Sequence, residues 1–393
     1  VLGALPGSAW LGSSERGDVV LANGANGAGV ARAGVPGAKG AKMSVVHRGG
    51  FACVRAERPD GEITVNCVDD ATFGDAGSTK VKKSQTVVRT GDFAYMVEAA
   101  KGLVRPLNPK SLVPESDALE FRAPIAAVPD DDGRLLVLEL EVSVASVLTG
   151  AVASEPETIG TGKGNLFGSL VDGQFAVVAQ ADSQVTLFVD GKVDRRVGLP
   201  GELGSLLVPG EVEGGEFPLL SRVDNSVEVV VLDTTTDKGR RVKVKDVLPK
   251  SSEVFATSAG LFVPDVVSGS VVRVDTRSGE TEKIDVGVGK GQGNFEVFTK
   301  DGKLWVNNPN GSKAVVIDGR GEVHEVNKYD KDIEDVDPGW PEEPAQVATP
   351  EPPPPNKSET SEPPPPNKSE TSEPPPPNGV AGFVRVWLRA AGR

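Results

Sequence analysis

The sequence predicts an all-β chain: a β-propeller of seven, alternatively eight, four-stranded blades, followed by a disordered proline-rich tail. Three observations carry this expectation. Val-rich stretches alternate with Gly- and Asp-containing turns, segments of one layout recur about every 40 residues, and the composition changes to proline-rich repeats near the C-terminus.

Composition sets the class. With 47 Gly, 31 Pro and only 5% aromatic residues in 393, the chain suits many short strands joined by tight turns rather than helices. The formal charge is −14, and from Gln346 onward five Glu are matched by five Lys and Arg, so the whole excess lies earlier in the chain. An acidic body repels phosphate backbones, which argues against nucleic acid as a partner. No apolar run is long enough to span a membrane.

The repeats give the architecture. The stretch Gly260 to Asp275 aligns with Gly302 to Asp318, and Gly173 to Asp190 has the same layout of strand, polar turn, strand and terminal Asp. Asp190, Asp233, Asp275 and Asp318 are spaced by 43, 42 and 43 residues, and the beat continues backward through Leu148, Asn108, Asp69 and Asn23. That period with four strands per unit is the spacing of propeller blades. A single blade cannot bury both of its faces, so the units close into a ring. An Asp or Asn at a strand end bonds to backbone N–H groups two residues on, which makes Asp69, Asn108, Asp190, Asp233, Asp275 and Asp318 structural turn positions. Asp-Gly and Asn-Gly pairs at 132, 172, 190, 301, 310 and 318 mark hairpin turns.

Four regions follow. Residues 1–16, apolar and small, read as the remnant of a signal peptide or N-terminal anchor. Residues 17–335 form the propeller, with complete units from about Met43 and only two strand-like stretches before it. Residues 336–378 form a disordered linker that carries a period of 11 residues, Pro-Pro-Pro-Pro-Asn-Lys-Ser-Glu-Thr-Ser-Glu. Such a segment has little to bury and extends as polyproline II. Residues 379–393 are too few for a core and read as a short tail or the stump of a further domain.

Few residues suggest chemistry. Cys53 and Cys67 flank the turn Arg58-Pro59-Asp60-Gly61, so they face each other either as a cross-strand disulfide, suited to an oxidising compartment, or as two small buried residues. His47 and His324 lie in distant units with no local carboxylate partner, and neither is assigned to catalysis. Pro129 to Gly133 reads as an acidic hairpin tip because the ligand pattern of a calcium loop is missing. The Gly-rich runs at 287–293 and 161–164 read as inter-blade loops because no helix follows to receive a phosphate. The tetraproline blocks read as spacer before ligand. No catalytic residue, cofactor or metal ligand is assigned.

Around 302 to 319 the unit Gly-x-Leu-Trp-Val-Asn, strand, Val-Ile-Asp-Gly resembles the NHL and YVTN type of propeller repeat, as does Val-Arg-Val-Asp at 272 to 275. The layout resembles actinobacterial surface proteins in which an N-terminal anchor and a propeller precede a proline-rich linker and fibronectin type III modules. The resemblance implies an extracytoplasmic, secreted or membrane-anchored protein, with 379–393 as the stump of a lost fibronectin type III module. Streptogramin lyases share this repeat type, but their histidine-centred site finds no counterpart here. The expected function is non-catalytic binding or scaffolding by a monomer, with loops presented to a protein or glycan partner at the cell surface. The alternative is a propeller enzyme, a lyase or glycan hydrolase, with a carboxylate-lined central channel.

Overall fold

The structure, a computed structural model, describes residues 7–161, 165–223, 226–288, 295–341 and 345–346. Its strands form eight sheets in sequence order, antiparallel except for a parallel strand added at one edge in three of them, so of the two blade counts the sequence allowed, the ring has eight. Blade 2 is typical, with Lys42–Arg48 innermost, then Phe51–Glu57, Ile63–Asp69 and Asp75–Val81. Because neighbouring blades cover both faces, central strands read as unbroken apolar runs, and in blade 6 Val229, Val230, Val231 and Leu232 are all fully buried.

The markers at 69, 108, 190, 233, 275 and 318 all end the third strand of a blade. Five of them accept N–H groups two residues on and three or four residues on: Asp69 from Ala71 and Thr72, Asn108 from Lys110 and Ser111, Asp233 from Thr235 and Thr236, Asp275 from Arg277 and Ser278, Asp318 from Arg320 and Glu322. Asp190 differs from the other markers and follows the second expectation for it, the Asp-Gly hairpin. Val189 pairs directly with Lys192, and Asp190 and Gly191 take φ of +50° and +74°, a two-residue hairpin from which the Asp190 carboxylate approaches Arg134 at 3.6 Å.

The N-terminal boundary also differs. Ser8–Ser13, which the sequence assigned to a leader or anchor remnant, is a wholly buried strand of blade 1 beside Asp18–Asn23 and Gly29–Gly34. Asn23 ends the middle of these strands, as the markers do elsewhere, so Ser8–Ser13 stands where other blades have their second strand. It runs antiparallel to the inner strand of blade 2, with Gly12 beside Met43 and Val45 and the Trp10 amide beside His47. Its small apolar residues suited a cleaved leader equally well, because burial against blades 2 and 8 is invisible locally.

After blade 8 the chain passes outside the ring. Glu334–Val336 adds in parallel to the outer edge of blade 1, and Ala345–Gln346 adds in parallel to the outer edge of blade 2. Between them the Pro338 carbonyl accepts the Asp75 amide at 2.7 Å, and the buried Trp340 donates its indole N–H to the Cys67 carbonyl at 2.8 Å. Residues 336–341, expected in the linker, therefore belong to the propeller, because Trp340 supplies the apolar area that the surrounding composition lacks. Residues 342–344 and 347–393, which include the linker's repeats and the short tail, lie outside the described residues. No helix among the described residues is long and apolar enough to cross a membrane.

Candidate functional site

The hairpins between first and second strands gather around the axis at one end of the ring. They are two residues long in blades 2, 3, 5, 7 and 8 and four in blade 4, whereas blade 6 inserts Val208 to Gly215. Within this insert Glu211–Val212 pairs in parallel with the inner edge of Leu166–Val171 in blade 5, so the insert lies inside the ring. Pro209-Gly210 and Gly214-Gly215 let the chain leave its blade and return. Asp172 accepts the amides of Gly214 and Gly215 at 2.6 and 2.9 Å and fixes the far end.

Across the mouth, Arg48 of blade 2 reaches Glu211 at 3.1 Å and Asp131 of blade 4 at 3.6 Å. Burial works against the guanidinium charge, but Glu211 and Asp131 outweigh it and raise the Arg48 pKa above its ordinary value. Asp131 also accepts the Gly49 amide at 2.7 Å. The insert touches blade 8 as well: Gly302 has φ of +68°, and a Cβ there would stand 3.0 Å from a Glu213 carboxylate oxygen. Glu213 is pushed up by burial, then by Glu211, Asp301 and Asp172, with Lys303 opposing.

Other acids at this end are held locally. Asp130, fully buried, takes the Arg134 side chain at 2.6 Å and the amides of Asp132 and Arg134, while Asp132 takes another Arg134 nitrogen at 3.1 Å. The acidic tip at Pro129 to Gly133 is thus held by Arg134 within blade 4 and by Arg48 and Gly49 of blade 2. Asp301 holds the Gly7 amide at 2.9 Å. Away from the axis, a cavity of about 300 Å³ between blades 3 and 4 is lined by Phe93, Tyr95, Pro106, Leu107, Glu115 and Gly150 among others, a mostly apolar set.

Three strongly perturbed groups, His47, Lys328 and Glu296, sit at the seam of blades 8, 1 and 2, near the inward edge of Ser8–Ser13. Trp10 donates its amide to His47 Nε2 at 2.9 Å, and Lys328 Nζ donates to the Gly12 carbonyl at 2.8 Å. Side chains thus satisfy backbone groups of an edge strand. The His47 ring stacks on Phe298 at 4.9 Å, and its Nδ1 is buried with no hydrogen-bond partner among the described residues. Burial, then Lys300 and Arg48, hold the His47 pKa well below 6.5, so the ring is neutral at pH 7. Lys300 of blade 8 pairs with Asp70 of blade 2 at 2.8 Å, and Trp10 donates its indole N–H to the same carboxylate at 3.0 Å.

Lys328 is fully buried and donates also to Asn307 Oδ1 at 2.8 Å and the Asn308 carbonyl at 2.6 Å. Burial lowers its pKa to about 8, against the pull of Glu296 and Asp18. Glu296, bonded to Asn307 Nδ2 at 3.0 Å, is pushed up to about 7 by burial. This network joins blade 8 to blade 1, and its perturbed groups serve ring closure.

Of the residues singled out from sequence, Cys53 and Cys67 lie opposite each other on adjacent strands of blade 2 and are bonded, Sγ to Sγ 2.00 Å. His47 lies near the axis, and His324 lies far from it on the outer strand of blade 8. The Gly-rich runs fall largely outside the described residues. Sequence reasoning missed Arg48 and Glu211, and read Asp131 only as part of the acidic hairpin tip. The signal was the length of the blade 6 connection, eight residues where its equivalents have two or four.

No family model matches the chain, and no curated protein sequence matches it. Among solved structures, apo AztD from Citrobacter koseri matches with a TM-score of 0.52 at 15% identity, over 82% of this chain and 95% of its own. Dihydro-heme d1 dehydrogenase NirN also matches at 0.52, with 12% identity over 84% of this chain and 75% of its own. Virginiamycin B lyase from Staphylococcus aureus matches at 0.40, with 12% identity over 64% of this chain and 86% of its own. At these identities the likeness shows the fold alone: this chain is a β-propeller, and its structural neighbours differ in function.

Proposed function

We propose that this protein is a non-catalytic binding or scaffolding propeller of the extracytoplasmic space, a monomer that presents loops to a protein or glycan partner. One observation carries the reading: most of the charged groups around the axial mouth, Glu213 excepted, are held by one another or by backbone amides. Arg48 spans to Glu211 and Asp131, Asp130 is held by Arg134, Asp172 by two amides, and His47 Nε2 by the Trp10 amide. General acid or base catalysis needs a titratable group free to reach a substrate proton. With this end occupied by the insert, recognition falls to the loops at the other end, where Val247 and Val267 are 97% and 83% exposed. The Cys53 to Cys67 bridge supports an oxidising compartment. The resemblance to actinobacterial anchored surface proteins belongs to the same proposal.

The enzyme alternative rests on Glu213, a carboxyl at the mouth whose raised pKa suits a proton donor. Titration of the full chain with cell-wall glycan fragments and purified envelope proteins separates the two readings. Saturable binding that survives Arg48→Gln and weakens in Val247→Asp or Val267→Asp is the expected result. Turnover of a glycan or small molecule that falls in Glu213→Gln would reverse the ranking.

A further inference from the structure

We infer that the turn between the third and fourth strands of blade 8 is a divalent-metal site, with Asp318, Glu322 and His324 as ligands, suited to zinc or a similar borderline ion. One carboxylate oxygen from each acid and a ring nitrogen of His324 all lie within 4.8 Å of one another. Bonds of about 2.0–2.2 Å to a common ion place ligand atoms roughly 3–4 Å apart. His324 Nε2 stands 3.9 Å from Asp318 Oδ2, too far for a hydrogen bond and suitable for two ligands of one ion.

The local chain orients these groups. Asp318 Oδ1 accepts the amides of Arg320 and Glu322 at 2.8 and 2.9 Å, which turns Oδ2 toward His324. A ligating carboxylate is typically fixed through its other oxygen in this way. Glu322 and His324 are two residues apart entering the strand Val323–Asn327, so extended backbone sends both side chains to one face.

Comparison with the equivalent turn of blade 7 gives an independent reason. There Asp275 is followed by Glu280 and Glu282, whose charges are met by Lys245 at 3.0 Å and Arg273 at 2.8 Å. In blade 8 no described cation pairs with Glu322, and a histidine stands in the place of the second acid. Arg273, which approaches Gly321, is already engaged by Glu282.

The donor set, one imidazole and two carboxylates, selects against Ca²⁺ and Mg²⁺, which take oxygen throughout, and favours Zn²⁺. Three protein ligands leave at least one coordination position for water or for a donor atom of a partner. The site therefore offers a metal-bridged contact on the ring's outer wall, separate from the axial mouth.

The test is calorimetric titration of the untagged full chain with Zn²⁺, alongside His324→Gln and Glu322→Gln, with Co²⁺ absorption as a second readout. Asp318 is left intact because it holds the turn. The expected result is one zinc per chain, a rise in Tm with zinc, and a loss of affinity of about tenfold or more in each variant. Loss of the visible Co²⁺ band in His324→Gln is also expected. Wild-type protein without zinc binding, zinc binding unchanged in His324→Gln, or preferential Ca²⁺ binding would each overturn the assignment.

Discussion

Replacing Lys328 by methionine removes one charge from the seam between blades 8 and 1 while keeping most of the volume. In the native chain the buried ammonium holds three acceptors, the Gly12 and Asn308 carbonyls and Asn307 Oδ1. Two terms oppose. Lowering the pKa from 10.5 to about 8 means that burial disfavours the charged form by about 3 kcal/mol, which methionine is spared. Against that, each buried acceptor left unmet costs about 1–3 kcal/mol, while Gly12 keeps a second donor, Asn307 Nδ2 at 3.1 Å. The charged hydrogen bonds themselves, about 1.5–3 kcal/mol each, are also lost. The balance is a net loss of about 2–4 kcal/mol at pH 7.

The pH dependence makes the test sharper. The folded pKa of Lys328 is depressed, so between pH 8 and 10.5 the unfolded chain holds the proton that the fold has released. Stability therefore rises with pH across that window in the native chain, and falls away as pH drops through 8. Lys328→Met lacks this rise, so the gap between the two proteins widens above pH 8. Glu296 has the opposite sign: its pKa near 7 gives stability that is present below 4.5 and lost as pH rises through 7. Without the ammonium nearby that loss deepens. Urea unfolding at pH 6, 8 and 10 measures all of this. A methionine variant as stable as the native chain, with the same pH slope, would refute the argument.

Three further outcomes follow from the same geometry. His47 stays neutral in the fold, so stability is full above pH 6.5 and declines below it by up to about 1.4 kcal/mol per pH unit, and His47→Gln, which keeps an acceptor for the Trp10 amide, should flatten that decline in urea midpoints between pH 7 and 5. Cys53 and Cys67 are 14 residues apart, a loop whose closure is worth about 3 kcal/mol, so the double Ser variant should lose that much in denaturant unfolding, and an unchanged midpoint would count against the bridge. Trp340→Ala removes a buried indole and its bond to the Cys67 carbonyl, a loss of about 3 kcal/mol, and should expose the chain after Asn327 to limited proteolysis while the blades stay intact.

The blade period, the hairpin turns and most third-strand ends were readable from sequence, because each depends on neighbouring residues: Gly at positive φ, Asp or Asn accepting amides two and three residues on, Val filling both faces of a strand. Asp190 shows the limit of that reading, since an Asp-Gly pair serves either as a turn cap or as the hairpin itself, and pairing across the strands decides. Only the tertiary structure decided how the ring closes. Lys328 meets Gly12 across 316 residues and Trp340 meets Cys67 across 273, and no local pattern encodes such a meeting. The axial mouth is of the same kind: Arg48, Asp131 and Glu211 come from three different blades and acquire their roles only when the circle brings them to its centre. A repeat specifies its own blade through short-range chemistry, while the contacts that close the ring and fill its mouth depend on where the last blade meets the first.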